Sequence, residues 1–238
     1  MEVFHDPSNN AIINKNYVIT YRSLIDRIKE IKNYLQSNNY YKIAVYLPKG
    51  LDLYAILWGA YYAGATICCI NNALTVDAAM DNVDLFKPDI IFSKKCFSGW
   101  NSCEPSTISD NQKIHKDTIA RKPNSVLFVI FTSGSTGRPK GACILRKAFE
   151  NVIEWSIKNI PIGEKDTVGQ FCECSFDMGL CDVFLAFSIG AAIVPIEGIQ
   201  KLKLGQVISE FNITYIYAVP TIVDILIKNK DCENGRLK

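Results

Sequence analysis

The sequence predicts an α/β fold with mainly parallel sheets covered by helices. Three observations point to it. Short apolar runs that suit buried strands alternate with helical patterns along most of the chain. No internal repeat or low-complexity tract interrupts that order. The 238 residues are 48% hydrophobic and 21% charged, enough apolar material for a sizeable core without disulfides or a structural metal.

The elements follow in order. Thr20 is placed to cap a helix that opens at Tyr21-Arg22-Ser23-Leu24, with Leu24, Ile25, Ile28, Ile31 and Leu35 at helical spacing. Ile43–Leu47 reads as a strand ended by Pro48-Lys49-Gly50. The uncharged run Leu53–Ile70 is long enough to suggest a membrane span, but Gly59, Gly64, Thr66 and three tyrosines break it. It reads better as a buried helix Leu51–Ala63, a turn at Gly64 and a strand Thr66–Ile70. Thr75–Phe86 reads as a helix, and Asp89–Phe92 as a strand after Lys87-Pro88.

Residues 93–124, rich in Lys, Ser, Asn and Asp, lack apolar periodicity and read as an irregular, exposed connection holding at most a fragment of strand. The alternation resumes with a strand Val126–Phe131, a Gly/Ser/Thr loop and a helix around Arg146–Lys158. Strands follow near Thr167–Phe171, Ala191–Pro195 and Ile213–Ala218, with helices Met178–Ser188, Ile199–Phe211 and Thr221–Lys228 between and after them. The connection divides the chain into an expected N-terminal α/β subdomain, residues 1–124, and a second subdomain, residues 125–238. In such sheets ligands sit at loops beyond the strand C-termini.

The charge balance, 26 basic against 24 acidic side chains, gives a net charge of +2. So small a charge supplies no long-range field, and neither nucleic acid nor an anionic membrane is an expected partner. Nine cysteines, an odd number, and a start without a basic segment and apolar stretch point to a reducing cytoplasm, with most thiols acting as small buried hydrophobes. Cys172-x-Cys174 with Cys181 lacks a second pair and a nearby histidine, so no metal site is expected there. His5 and His115 fall in poorly patterned stretches and read as exposed polar residues.

The most informative stretch is Val129-Ile130-Phe131-Thr132-Ser133-Gly134-Ser135-Thr136-Gly137-Arg138-Pro139-Lys140-Gly141. An apolar strand runs into six small residues, then a lysine, then an expected helix. Glycines let backbone N–H groups approach an oligophosphate, hydroxyls donate hydrogen bonds and the lysine adds a point charge. It is not a Walker A loop: Pro139 stands where glycine should precede the lysine, and Gly141 replaces the following hydroxyl residue. The bland reading is a polar surface turn, since short Ser/Gly/Thr linkers are common.

This string resembles the signature loop of the adenylate-forming (AMP-binding) superfamily, which includes acyl-CoA synthetases, luciferases and peptide-synthetase adenylation domains. Further pieces are similar in the family's order from about Tyr17 to Lys228. They are Thr20-Tyr21-Arg22-Ser23-Leu24, Gly59-Ala60-Tyr61-Tyr62-Ala63-Gly64-Ala65, Phe176-Asp177, Gly190-Ala191-Ala192-Ile193-Val194 and Ile213–Thr221. The resemblance implies the N-terminal portion of such an enzyme's large domain, of the nonribosomal peptide synthetase or D-alanine–carrier-protein ligase type.

It implies that Thr132, Ser133, Gly134, Ser135, Thr136, Gly137 and Lys140 hold the β- and γ-phosphates of ATP, with Mg2+ as companion ion. The implied reaction is attack of an amino-acid carboxylate on ATP, giving an aminoacyl-adenylate and pyrophosphate, then transfer to a carrier-protein thiol. By the same resemblance Asp177 accepts hydrogen bonds from the substrate α-ammonium group, while Met178, Cys181 and Tyr217 face its side chain. A carboxylate in a partly desolvated pocket suits a cation. The plain alternative for Asp177 is a first-turn helix acid stabilised by the helix dipole.

The sequence also departs from the pattern. A Gly-Glu element near the adenine, a ribose-binding aspartate, a hinge and a lysine-bearing C-terminal lid domain have no counterpart here; Gly163-Glu164 lies in the wrong order. The expectation is a truncated chain, one half of a split enzyme completed by a C-terminal chain, or a non-catalytic relic that binds nucleotide or amino acid. Weak or absent activity is expected of the chain alone. A phosphotransferase is disfavoured by Pro139 and by the absence of a metal-binding acidic set.

Overall fold

In the computed structural model, residues 6–108, 124–132, 139–228 and 237 are described. The chain divides into two compact units: Met1–Leu24 with Ile153–Lys238, and Ile25–Val152.

The unit Ile25–Val152 is built on a six-stranded sheet. Its strands are β3 (Lys42–Tyr46), β4 (Thr66–Cys69), β5 (Ile90–Ser93), β6 (Ser102–Cys103), β7 (Val126–Thr132) and β8 (Lys140–Leu145), in the order β6-β5-β3-β4-β7-β8. Every pairing is parallel except β7 with β8. Helix α2 (Leu51–Ala63) is buried over nearly its whole length, from Leu53 to Ala63 apart from Tyr62, which is why its sequence is apolar almost all round. It ends at Gly64, whose φ of 81° lets its N–H reach the carbonyls of Ala60 and Tyr61 and turns the chain into β4. The apparent membrane segment is therefore a buried helix, a turn and a strand. No helix among the described residues is long and apolar enough to cross a membrane.

Helix α3 (Val76–Phe86) is capped by the Thr75 hydroxyl, which accepts from the Ala78 N–H at 3.2 Å. Its buried residues Ala79, Val83 and Phe86 pack with Ala44, Cys68, Ile91 and Phe97. Asp89 fixes the start of β3, its Oδ2 accepting from the N–H groups of Tyr41 and Lys42 at 2.7 and 2.8 Å.

The unit of Met1–Leu24 with Ile153–Lys238 holds a five-stranded sheet. Its strands are β1 (Asn10–Asn14), β2 (Tyr17–Thr20), β9 (Thr167–Gln170), β10 (Ala192–Pro195) and β11 (Tyr215–Ile216), ordered β11-β9-β10-β1-β2. β1 and β2 form an antiparallel pair, while the other pairings are parallel. Helix α5 (Asp177–Ile189) is buried from Gly179 to Phe187 apart from Cys181, and ends at Gly190 with φ 78°, repeating the helix–glycine–strand joint of the other unit. Tyr21, fully buried, donates from its hydroxyl to the Ala191 carbonyl at 2.8 Å and meets Phe187 edge-on. Helices α6 (Leu204–Glu210) and α7 (Pro220–Lys228) supply Leu204, Val207, Ile208 and Leu226 to a core with Val194, Ile196 and Ile213. Helices α1 (Tyr21–Ser37) and α4 (Arg146–Asn159) each have residues in both units.

Five expectations need correcting. The units do not divide at 124/125, because β7 pairs with β4 (Phe128 opposite Ile67) and β1 pairs with β10. The chain does not enter a helix at Lys140 but a strand, held by antiparallel pairing along β7. The stretch that begins at Ser93 is not simply exposed. Phe97, Pro105 and Ile108 are buried, and Arg27 donates to the Pro105 and Ile108 carbonyls at 2.6 and 3.2 Å. Most thiols are not fully buried: of the eight described cysteines only Cys68 and Cys174 are, while Cys96 and Cys143 are exposed. The single helix expected over Ile199–Phe211 is a 3-10 turn, Gly198–Lys203, followed by α6.

Candidate functional site

The phosphate-loop candidates belong to the β7–β8 hairpin of the unit Ile25–Val152. Thr132, the last residue of β7, is the register partner of Lys140, the first of β8. The Thr132 hydroxyl donates to the Lys140 carbonyl at 3.5 Å. Pairing thus brings together the first and last members of the candidate set and leaves both exposed. A hydroxyl donor and an ammonium at the mouth of one loop suit the oxygens of an oligophosphate. Ser133, Gly134, Ser135, Thr136 and Gly137 lie outside the described residues.

The amino-acid-side candidates lie in the other unit, around the N-terminal turn of α5. Phe176 is the N-cap in extended backbone, and Asp177 is the only acid of the first turn. Its Oδ1 accepts from the Met178 N–H at 2.9 Å, and the residue is exposed. That contact is the one a helix-stabilising acid makes, and it leaves the carboxylate open to solvent. Met178 is half-buried beside it, and Cys181 follows Asp177 by four residues, which puts both on one helix face.

Two groups here are raised by burial and by neighbouring charge. Burial pushes the Cys181 thiol up to about 12, with Asp182 and Asp177 adding to the shift. Tyr217 on the chain beyond β11 is also raised, by burial first and then by Cys181, Asp177, Asp182 and Cys172. Asp177 and Cys181 at the start of α5, and Tyr217 just past β11, lie at the carboxyl end of the parallel strands, where ligands bind in open α/β sheets.

The approach to α5 is fixed by buried polar contacts. Gln170, at the end of β9 and fully buried, donates from Nε2 to the Gly179 carbonyl at 3.2 Å and to Cys174 Sγ at 3.1 Å. Lys201 ties Glu173 of the same connection at 2.6 Å. Three residues of this region were not singled out from the sequence: Gln170, the buried Asp182, and Tyr215, whose phenol is raised by burial and then by Asp182, Tyr217 and Cys181. Alternation of Tyr215 with Tyr217 along a strand was the available signal. Among the described residues no group of three or more His, Cys, Asp or Glu could hold a metal ion. The Mg2+ implied by resemblance thus has no cage of described protein ligands.

Residues 3–238 match the family model described as AMP-binding enzyme. The chain belongs to that family. It is 25% identical over 242 residues to enterobactin synthase component F of Escherichia coli (strain K12), covering 97% of this chain and 19% of that protein. It is 25% identical over 237 residues to gramicidin S synthase 1 of Brevibacillus brevis, covering 93% and 22%. Among solved structures it resembles the Vibrio cholerae adenylation domain AlmE in complex with glycyl-adenosine-5'-phosphate, with a TM-score of 0.80 at 18% identity over 94% of this chain and 49% of that one. The Klebsiella oxytoca NpsA N-terminal subdomain, in complex with 3-hydroxyanthranilyl-AMSN, gives 0.80 at 19% identity over 93% and 59%. The chain spans about a fifth of these two curated relatives, 19% and 22%, and about half of these two solved chains, 49% and 59%.

Proposed function

We propose that this chain takes part in ATP-dependent activation of an amino-acid carboxylate to an aminoacyl-adenylate, destined for a carrier-protein thiol, as one portion of an adenylation enzyme. The observation that carries this is the placement of Asp177 and Cys181 on one face at the start of α5, with Tyr217 just past β11, at the carboxyl end of the parallel strands. The exposed Thr132–Lys140 pair at the mouth of the loop supports the nucleotide side of the reading.

Asp177 would take the α-ammonium group, and this orients the carboxylate. In the reaction a carboxylate oxygen bonds to the α-phosphorus while the bond to the β-phosphate's bridging oxygen breaks, and pyrophosphate leaves. Thr132, Lys140 and the loop between them would hold the β- and γ-phosphates, where the lysine offsets charge gathering on the leaving group. ATP supplies the activated phosphorus. A complementary chain carrying the rest of the domain and a carrier protein are the proposed partners.

The test is amino-acid-dependent exchange of pyrophosphate into ATP, with a panel that includes D-alanine. The chain is assayed alone and with candidate partner chains, with Lys140→Ala and Asp177→Asn as controls. Exchange with one amino acid, lost in both variants, supports adenylation. Nucleotide or amino-acid binding with no exchange under any condition leaves a binding protein in its place.

A further inference from the structure

Gln170 and Gly169 identify the two faces of the β9–β11 edge of the five-stranded sheet. Gln170 reaches the Gly179 carbonyl of α5, so its face of β9 looks toward that helix. Gly169 lies on the opposite face, where an added Cβ would stand 2.9 Å from Ile216 and 3.1 Å from Ile213. In the parallel ladder Tyr215 pairs with Val168 and Ile216 with Gly169. Paired residues share a face, so Tyr215 stands with Val168 and Gln170 on the α5 side, while Ile216 joins the core with Val207 and Ile208. Tyr217, two residues on, continues the Tyr215 face toward the carboxyl end of the sheet.

Tyr215 is only 8% exposed. Among the described residues its hydroxyl makes no hydrogen bond, yet it is not one of the polar side-chain atoms sealed from solvent without a partner. A tyrosine more than nine-tenths buried thus keeps a hydroxyl that has no hydrogen bond among the described residues and is not fully sealed from solvent. Its ring lies on the sheet face that looks toward the helix carrying Asp177, Cys181 and Asp182, and the rise in its phenol, from burial first and then from Asp182, Tyr217 and Cys181, agrees with that placement. A buried ring whose hydroxyl has no partner among the described residues is suited to meet a polar group.

We propose that Tyr215 is a specificity-determining residue that forms the inner end of the amino-acid site and selects a substrate with a short side chain ending in a hydrogen-bonding group. This rests on the amino-acid reading above. Asp177 takes the α-ammonium at the helix terminus, Cys181 and Tyr217 line the way in, and the Tyr215 hydroxyl meets the side-chain tip. An aliphatic side chain there would leave that hydroxyl without a partner and exclude its water.

The test is calorimetric binding of L-serine, L-2,3-diaminopropionate, L-alanine and L-valine to the full chain in the presence of ATP, with Tyr215→Phe and Asp177→Asn. The expected result is that the wild type prefers at least one of the two polar amino acids over both apolar ones by about tenfold or more. Tyr215→Phe, which keeps the ring, should bring that preference below about threefold while alanine binding stays within about twofold. Equal binding of polar and apolar members by the wild type, or a preference that survives Tyr215→Phe, overturns the proposal alone. Wild-type binding that Asp177→Asn leaves unchanged, or binding of no member, overturns the amino-acid reading and this proposal with it.

Discussion

The side-chain amide of Gln170 donates to the backbone carbonyl of Gly179 at 3.2 Å, joining the end of β9 to the first turn of α5. The position of Asp177 depends on that join, because the connection of residues 171–176 folds back onto the same turn. The Phe176 N–H donates to the Glu173 carbonyl at 3.0 Å, and a Cβ on Gly179 would lie 2.3 Å from that same carbonyl oxygen. Gly179→Ala would force backbone apart rather than a flexible side chain, and a loss of about 3 kcal/mol is expected. Gln170→Met keeps the volume but removes the donor, which should cost about 1–2 kcal/mol. Urea midpoints of the two variants check both values; wild-type midpoints would show that the turn is not closed in this way.

Lys140 gives the opposite expectation. It is exposed at the start of β8, and its backbone, not its side chain, carries the ladder to Thr132. Lys140→Ala should therefore move stability by no more than about 0.5 kcal/mol. If the ammonium meets phosphate, the same change should weaken ATP binding by about tenfold or more, the size of one charge-assisted contact. Calorimetric titration with ATP, run beside thermal melting, separates the two effects. Unaltered ATP affinity would remove Lys140 from the phosphate site.

The Arg27 side chain is 13% exposed and holds four partners: Glu30 at 2.6 Å, Asp52 at 3.0 Å, and the carbonyls of Pro105 and Ile108. Arg27→Ala would leave two carboxylates and two carbonyls without this donor, for a loss of about 3 kcal/mol. Arg27→Lys should recover less than half, since one ammonium cannot span a forked set. Limited proteolysis near residues 105–108 should quicken in step with the fall in denaturation midpoint. Unchanged cleavage would mean that this segment is held by Phe97, Pro105 and Ile108 packing instead.

How much of this was legible in the sequence follows from where the free energy comes from. Helix α2, Gly64 and β4 could be read because continuous apolar runs and one glycine decide them locally. The same holds for α5, Gly190 and β10. Strands β1 and β2 escaped notice because they are short, and exposed Asn10, Tyr17 and Val18 obscure any alternation; pairing with distant Ile193 holds them. β8 escaped because nearly all of it is exposed, so pairing with β7 rather than burial fixes it. At the site, Asp177 and Cys181 are reached through the family resemblance, and α5 carries them four residues apart on one face. Gln170 and Asp182 look like ordinary polar residues inside apolar runs, and the side of the sheet that Tyr215 faces depends on its register with Val168.

Alkaline pH tests the burial of two thiols. Burial holds Cys68 and Cys181 at about 12, against an ordinary value of 9.0, with Asp182 and Asp177 adding to the shift at Cys181. Above pH 9 the unfolded chain releases both protons while the folded chain keeps them, so proton loss favours unfolding. The contribution is present in full below pH 9 and is lost as pH rises from there toward 12. Each thiol contributes at most about 1.4 kcal/mol per pH unit within that window, so the pair should remove on the order of 2 kcal/mol between pH 8 and pH 10. The Tyr21, Tyr34 and Tyr215 phenols, also raised, act in the same direction as the unfolded tyrosines begin to ionise near pH 10, so the thiols supply the larger part of the decline between pH 8 and 10. Cys68→Ala should lower stability at every pH through lost packing, yet its decline from pH 8 to 10 should be clearly shallower than that of the wild type, by about 1 kcal/mol. Urea midpoints that stay flat to pH 10, or fall equally in both proteins, would show that Cys68 does not keep its proton in the folded state.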